Sequence, residues 1–167
     1  MWSLLGISSA YCLLLGTAPY RHLASLETKP GYIDPDTARQ FSQHVPVDAQ
    51  VFTCEWENTG SLMVALPERR FVVVGEPALF SKKNPELFAL WSKMPMAAPL
   101  DAVQSIREQF RSRFVICRNV RLYASLLDRL RLDPGVKTVV VSPRWLLFDV
   151  GESSAKALAG TAGAVLP

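Results

Sequence analysis

The residues from Trp2 to Tyr20 constrain this chain most, because none of these nineteen side chains carries a charge. The run ends at Arg21 and His22. An α-helix rises about 1.5 Å per residue, so roughly 20 apolar residues cross the ~30 Å hydrocarbon core of a bilayer. The run is at the short end of that range. It predicts a transmembrane helix within residues 1–22, followed by a globular head.

Two alternatives stay open for this run. A secretory signal peptide usually begins with positive charge, and no charge precedes Leu4, although Gly16-Thr17-Ala18 loosely matches a cleavage site. A buried core helix is compatible with the polar side chains that dilute the run. Because the run follows Met1 without a basic flank, it also suggests the C-terminal end of a longer polytopic protein.

The length and charge favour one domain of ordinary size after this run. The chain has 167 residues and a formal net charge of +3, and the remaining length is enough to bury a core. A nucleic-acid partner would need a concentrated basic face. Solvated helix faces account for most of the arginines in the C-terminal third, so we predict no nucleic-acid partner.

The three cysteines are Cys12, Cys54 and Cys117. Their odd number and wide spacing give neither a disulfide framework nor a zinc site. Cys54 and Cys117 each lie in a strand-like segment, where a cysteine is readily accommodated as a small apolar core residue. A Cys54–Cys117 pair is the alternative if the two strands are neighbours, and the sequence leaves both interpretations open.

Composition divides the rest of the chain into three parts. Residues 23–46 are polar with proline and glycine turns, which predicts a membrane-proximal linker. Within it, Asp34 and Pro35 predict the start of a short helix. Residues 47–150 contain apolar segments of strand and helix period and predict the soluble head. Residues 151–167 are rich in Gly, Ala and Ser, which predicts a disordered tail.

Five segments of the head have the composition of β-strands. They are residues 51–56, 70–75, 114–117, 136–141 and 145–150. The second is a continuous apolar run, typical of a strand buried on both faces. Only a short turn separates the last two. They therefore form an antiparallel hairpin, since a parallel crossover needs a dozen or more residues.

Amphipathic segments alternate with these strands and predict helices over residues 61–66, 84–94, 100–110 and 122–130. The alternation predicts an α/β fold, with a small, mostly parallel sheet of about five strands and a C-terminal antiparallel hairpin, preceded by one N-terminal transmembrane helix. The predicted core residues are Phe52, Val72, Val74, Leu87, Trp91, Ile106, Phe110, Val115, Leu126, Leu130, Val139 and Leu147.

Polar residues follow the first three predicted strands. In an open α/β sheet, parallel strands deliver their carboxyl ends and the next helix N-termini to one side, where ligands bind. Carboxylates, an amide and a tryptophan there suit a hydroxyl-rich ligand, which needs hydrogen-bond partners and an apolar ring face. Solvated strand-end charges are the alternative explanation. The candidate ligand-binding residues are Glu55, Trp56, Glu57, Asn58, Glu76 and Arg118.

The chain carries no catalytic constellation from which a reaction can be named. Neither a dinucleotide-binding G-x-G-x-x-G nor a phosphate-binding G-x-x-x-x-G-K-[ST] occurs. His22 and His44 have no neighbouring residues that suggest a triad or a metal site. We therefore assign no catalytic residue, no metal ligand and no cofactor, and whether the chain is an enzyme stays open.

Several segments of the head resemble a known group of membrane proteins. They read VPVDAQVFTCEW, TGSLMVALPERRF, EPALFSKKNPELFALW, IREQFRSRFVIC and WLLFD. Together they resemble the C-terminal extracytoplasmic domain of bacterial membrane proteins of the glycosyltransferase C superfamily, which are similar to dolichyl-phosphate-mannose–protein mannosyltransferases. The resemblance covers roughly residues 4–150 and is one of overall pattern.

The resemblance implies an accessory domain of a polytopic membrane glycosyltransferase that uses a polyprenyl-phosphate sugar donor. The catalytic acidic residues of such enzymes lie in an early loop between the first membrane helices. This chain lacks that loop, so it is expected to be a C-terminal fragment or a truncated relative, non-catalytic alone. The implied partners are the lipid bilayer, other membrane helices and a lipid-linked sugar. The implied location is the inner membrane, with the head in the periplasm.

Two considerations compete with that implication. Arg21, Lys29 and Arg39 follow the apolar run, and the positive-inside rule by itself places the head in the cytoplasm. The chain is also compatible with a membrane-tethered α/β module that binds a small ligand or a protein and has no part in sugar transfer.

Overall fold

The computed structural model of this chain describes residues 31–74 and 77–151. The predicted transmembrane helix, the first part of the predicted linker and the predicted tail beyond Gly151 therefore lie outside the described residues. Among the helices within the two described stretches, none is long and apolar enough to cross a bilayer. The described part comprises the predicted head and the short helix that leads into it.

Helices and strands alternate along this part of the chain, which confirms the predicted α/β class. The helices are α1 (Pro35–His44), α2 (Thr59–Ala65), α3 (Pro77–Lys83), α4 (Pro85–Lys93), α5 (Ala102–Glu108) and α6 (Ala124–Leu132), with a turn of 3₁₀ helix at Arg121–Tyr123. The strands are β1 (Gln50–Thr53), β2 (Arg70–Phe71), β3 (Phe114–Arg118), β4 (Lys137–Val141) and β5 (Trp145–Asp149). Helix α3 is an addition to the helices that the sequence predicted.

Short polar side chains fix where two of the helices begin. Asp34 accepts hydrogen bonds from the backbone N–H of Thr37 at 2.9 Å and from its hydroxyl at 2.6 Å. These bonds hold the pKa of Asp34 below its usual value. Asn84 caps α4 in the same way, and a proline occupies the first turn of both helices. The predicted starts of α1 and α4 are confirmed.

The five strands form one sheet in the order β2-β1-β3-β5-β4. Strand β1 is parallel to β2 and β3, whereas β5 is antiparallel to β3 and β4. The number of strands and the C-terminal hairpin agree with the prediction, but the sheet is mixed rather than mostly parallel. The reason is that β5 returns from its short turn and inserts between β3 and β4, so half of the strand pairings are antiparallel.

The second strand is shorter than predicted, because it covers only Arg70–Phe71 of the apolar run. It lies at an edge of the sheet and pairs with only the first two residues of β1. The chain then bends, which buries Val73 but leaves Val74 47% exposed. The prediction of Val74 as a core residue is therefore wrong. Val72, Leu87 and Val139 are half-buried, and the other predicted core residues are buried.

Two hydrophobic layers cover the two faces of the sheet. Successive side chains of a strand point to opposite faces, so Val51 packs in one layer and Phe52 in the other. Helices α1 and α2 complete the first layer through Phe41 and Leu62. Helices α4, α5 and α6 complete the second layer through Trp91, Ile106, Leu126 and Leu130.

Two indole N–H groups fix the surrounding segments to the sheet. Nε1 of Trp91 donates to the backbone oxygen of Thr53 at 2.9 Å, which positions α4 against the end of β1. Nε1 of Trp145 donates to the backbone oxygen of Tyr32 at 3.0 Å. Because a buried indole N–H needs an acceptor, the second bond determines where the chain enters the head.

A substitution of Phe110 tests the second layer. Phe110→Ala is expected to lower the free energy of unfolding by about 3–5 kcal/mol, since it leaves a cavity beside Phe52; the two ring centroids are 5.1 Å apart. Urea unfolding of the full chain in mild detergent, followed by circular dichroism, measures the loss. Leu132→Ala is the control, because Leu132 is exposed, and it is expected to change stability by less than about 0.5 kcal/mol. Equal losses would contradict the core assignment.

Candidate functional site

Strands β1 and β3 are neighbours, but the chain leaves them toward opposite faces of the sheet. After β1 it continues into α2, whose Leu62 belongs to the first layer. After β3 it continues into α6, whose Leu126 belongs to the second layer. Parallel neighbours whose connections diverge leave a crevice between their carboxyl ends, which is where open α/β sheets bind ligands. This switch point is the natural place to look for a site.

A disulfide joins the two strands at the switch point. Thr53 of β1 pairs with Ile116 of β3, so Cys54 and Cys117 are the next residues in register. Their Cα atoms are 5.1 Å apart, within the usual range for a disulfide. The sequence left two alternatives open, separate core cysteines or a Cys54–Cys117 pair. The structure has the pair, and both cysteines are buried.

Three polar side chains meet beside this disulfide, and we call Glu55, Arg118 and Tyr123 the polar triad. Arg118 donates to Glu55 twice, from Nε to Oε1 and from Nη2 to Oε2, the latter at 2.7 Å. The Tyr123 hydroxyl donates to the same Oε2 at 2.9 Å. The Arg118 and Glu55 side chains are only 19% and 10% exposed. Removing either charge would therefore strand the other in a poorly solvated position.

The polar triad perturbs the proton affinity of two of its members. Burial, followed by the hydrogen bond to Glu55, raises the pKa of Tyr123 to about 12. The hydrogen bond to Glu55 also raises the pKa of Arg118. At neutral pH, Tyr123 is thus a neutral donor and Arg118 a cation. Within the described residues, Nη1 of Arg118 donates to no protein acceptor, which leaves N–H groups for a ligand.

A groove of about 280 Å³ opens beside the polar triad, and we call it the switch-point groove. Three of its lining residues, Trp56, Met96 and Leu122, expose 43%, 55% and 58% of their surface. An apolar rim therefore borders a deeper polar triad. Such a combination provides both an apolar surface for a ring and a few convergent hydrogen-bonding groups.

The structure brings together four of the six predicted binding residues. Glu55, Trp56, Glu57 and Arg118 all line the switch-point groove. Asn58 lies outside that lining, where it is buried against Gly31 just before α2. Glu76 lies outside the described residues, so its position relative to the groove stays a prediction.

Seven lining residues were not predicted as binding residues: Cys54, Trp91, Ser92, Pro95, Met96, Leu122 and Tyr123. Met96 comes from the loop after α4, and Leu122 and Tyr123 belong to the 3₁₀ turn before α6. Tyr123 had a weak signal, since it follows the end of β3 by only five residues. Met96 had none, because the fold alone brings the α4 loop to this edge of the sheet.

The carboxylate and the cysteine nearest the groove are already engaged with other groups. Both oxygens of Glu55 accept hydrogen bonds, and the neighbouring Cys54 is in a disulfide and provides no thiolate. Among residues 31–74 and 77–151, no cluster of His, Cys, Asp and Glu side chains is arranged to hold a metal ion. The groove is lined by fixed donors, the carboxylates of Glu55 and Glu57 and an apolar rim.

Chemical labelling tests the disulfide. Alkylation of the unfolded chain without reductant is expected to leave Cys54 and Cys117 unmodified, and reduction is expected to make both reactive. The Cys54→Ser/Cys117→Ser variant is expected to lower the free energy of unfolding by about 2–4 kcal/mol, since the bridge joins positions 63 residues apart. Peptide mass spectrometry and urea unfolding measure the two effects. Modification of both cysteines before reduction would refute the bridge.

The polar triad makes a prediction at alkaline pH. Tyr123 has a raised pKa of about 12 against an ordinary value of 10.0. Its contribution to stability is therefore complete below about pH 10 and is lost as the pH rises through about 12. Glu55→Gln is expected to lower the pKa of Tyr123, because it removes the carboxylate that holds the proton. Ultraviolet titration of tyrosinate, with Tyr123→Phe to assign the transition, measures this. Unchanged titration in Glu55→Gln would contradict the hydrogen bond.

Comparisons with known proteins add no relative from which a function could be transferred. No protein-family model matches the chain, and searches of curated proteins and of solved structures likewise found no match. The resemblance to the glycosyltransferase C superfamily therefore stays a prediction from the sequence. The switch-point groove is the feature of the molecule from which a function can be inferred.

Proposed function

We propose that this chain is an accessory, non-catalytic head of a polytopic membrane glycosyltransferase that uses a polyprenyl-phosphate sugar donor. In this proposal the head binds a sugar in the switch-point groove. The observation that carries the proposal is the exposed Trp56 at the rim of a groove whose deeper part holds Glu55 and Arg118. The sequence resemblance supports the wider assignment to a glycosyltransferase.

The chemistry of the groove supports a sugar as ligand. A volume of about 280 Å³ is close to the lower end of the range for small-molecule sites, roughly 300–1,000 Å³. The Trp56 indole offers a flat apolar surface for a pyranose face. The free N–H groups of Arg118 and the carboxylate of Glu57 offer donors and acceptors to hydroxyls.

The disulfide supports an extracytoplasmic head. Disulfides persist in oxidising compartments such as the bacterial periplasm and are rare in the cytosol. The Cys54–Cys117 bridge is buried and joins two neighbouring interior strands, β1 and β3, near their carboxyl ends. The bridge therefore favours the periplasmic location implied by the resemblance over the cytoplasmic location suggested by the three positive charges after the apolar run.

A second candidate function has its own supporting observation. Met96 and Leu122 expose more than half of their surface beside Trp56. A rim of three apolar side chains also suits an extended peptide, which would make the head a membrane-tethered module that binds a protein. The two candidates differ in whether free sugars occupy the groove.

Membrane attachment is the first test of the proposal. Because residues 2–20 are uncharged, the chain is expected to stay in the pellet when membranes of expressing cells are extracted with alkaline carbonate. Alkaline carbonate releases a protein that is bound at the membrane surface without a transmembrane anchor. Recovery of this chain in the supernatant would refute the tether.

Ligand titration is the second test. Monosaccharides and a polyprenyl-phosphate sugar analogue are titrated into the full chain in detergent, with tryptophan fluorescence and amide NMR shifts as readouts. Sugar is expected to shift the amides of Glu55, Trp56 and Arg118. Trp56→Ala is expected to weaken binding about tenfold, equivalent to about 1.4 kcal/mol, because it removes the stacking surface.

The controls separate the two candidates. Val47→Ala is the matched surface variant, since Val47 is exposed and lies before β1, at the opposite end of that strand from the groove. It is expected to leave the affinity unchanged. No response to any sugar would exclude sugar binding and favour the peptide module. Shifts confined to α6 would exclude the groove for either ligand.

A further inference from the structure

We propose that the head lies against the lipid bilayer through one uncharged surface, which we call the α2 patch. It comprises the exposed side chains of Ser61, Met63 and Val64 on α2, together with the adjoining Tyr32 and Ile33. The proposal depends on the membrane tether of the proposed function, and it adds the orientation of the head on that membrane.

The point at which the chain enters the head is fixed next to this patch. The backbone oxygen of Tyr32 accepts the hydrogen bond from the Trp145 indole at 3.0 Å. Gly31 packs so closely on the Asn58 side chain that a Cβ at this position would collide with Oδ1. Since Asn58 directly precedes α2, the segment that leads from the apolar run reaches the head at the start of this helix.

The α2 patch has the composition of a lipid-contacting surface. No charged residue occurs from Thr59 to Pro67. Val64 is 85% exposed and Met63 46% exposed, although Leu62 before them and Leu66 after them are buried. A groove of about 600 Å³ adjoins the patch between α1 and α2, with Ile33, Val64, Ala65 and the exposed Arg39 in its lining. Insertion of the apolar side chains of such a surface into the headgroup region lowers the free energy.

The length of the tether favours the bilayer over other occupants. Residues 21–30 separate the uncharged run from Gly31, and ten residues span at most about 35 Å when fully extended. The surface nearest the entry point is thus held beside the membrane at a high effective concentration.

The switch-point groove lies at the same edge of the sheet as the entry point of the chain. Trp145, which fixes the entry point, pairs directly with Arg118 of the polar triad. Entry point and groove therefore share the carboxyl edge of β1 and β3.

Depth-dependent quenching tests the orientation. The full chain with Cys12→Ser is reconstituted into vesicles of phosphatidylethanolamine and phosphatidylglycerol, and an environment-sensitive fluorophore is attached at Val64→Cys. Lipids that carry a nitroxide quencher are then included. The matched control is Leu132→Cys, because Leu132 is 78% exposed and its helix packs on the opposite face of the sheet. Quenching at position 64 is expected to be severalfold stronger than at position 132.

Each other outcome counts against the proposal in a distinct way. Equal quenching at the two positions, with the chain retained after carbonate extraction, would overturn the orientation and leave the proposed function standing. Release by carbonate would overturn both. A blue-shifted fluorophore at position 64 that lipid nitroxides do not quench would mean that a second copy covers the patch, and this too would overturn bilayer contact.

Discussion

The parallel pairing of β1 with β3 is the contact on which the rest of the structure depends. These strands send alternate side chains into both hydrophobic layers, and their carboxyl ends carry the disulfide and the Glu55–Arg118 pair. A shift of one residue in their register would move each side chain of one strand to the other face. Cys54 would then lose Cys117, and Glu55 would lose Arg118. The disulfide and the candidate site therefore both depend on the register of these two strands.

The sequence predicted those parts of the fold that depend on local chemistry. Asp34 and Asn84 mark helix starts because their side chains cap the next turn, and the short turn after β4 forces an antiparallel return. It missed what depends on distant partners. An apolar run such as residues 70–74 has the same composition at an edge as in the centre of a sheet. Only the position of β1 determines that the strand ends at Phe71 and that Val74 faces solvent.

The residues of the candidate site likewise fall into two groups, those that the local sequence pattern predicts and those that tertiary packing brings in. Glu55, Trp56 and Arg118 could be predicted, because parallel strands carry the residues after them to one edge. The α4 loop reaches this edge through tertiary packing, so Met96 could not be predicted from local pattern. The bond from Tyr123 to Glu55 spans 68 positions. The disulfide was likewise one of two open alternatives, since strand order determines which cysteines are neighbours.

The strand order means that the middle of the sheet is completed late in synthesis. Strand β1 ends at Thr53, but its neighbour β3 begins at Phe114 and β5, which pairs with β3, ends at Asp149. Until these arrive, a ribosome-bound chain exposes β1 and most of both apolar layers, as is typical of proteins with many distant contacts. Such a chain remains unfolded for most of its translation, the state in which a polypeptide can be threaded through a translocation channel.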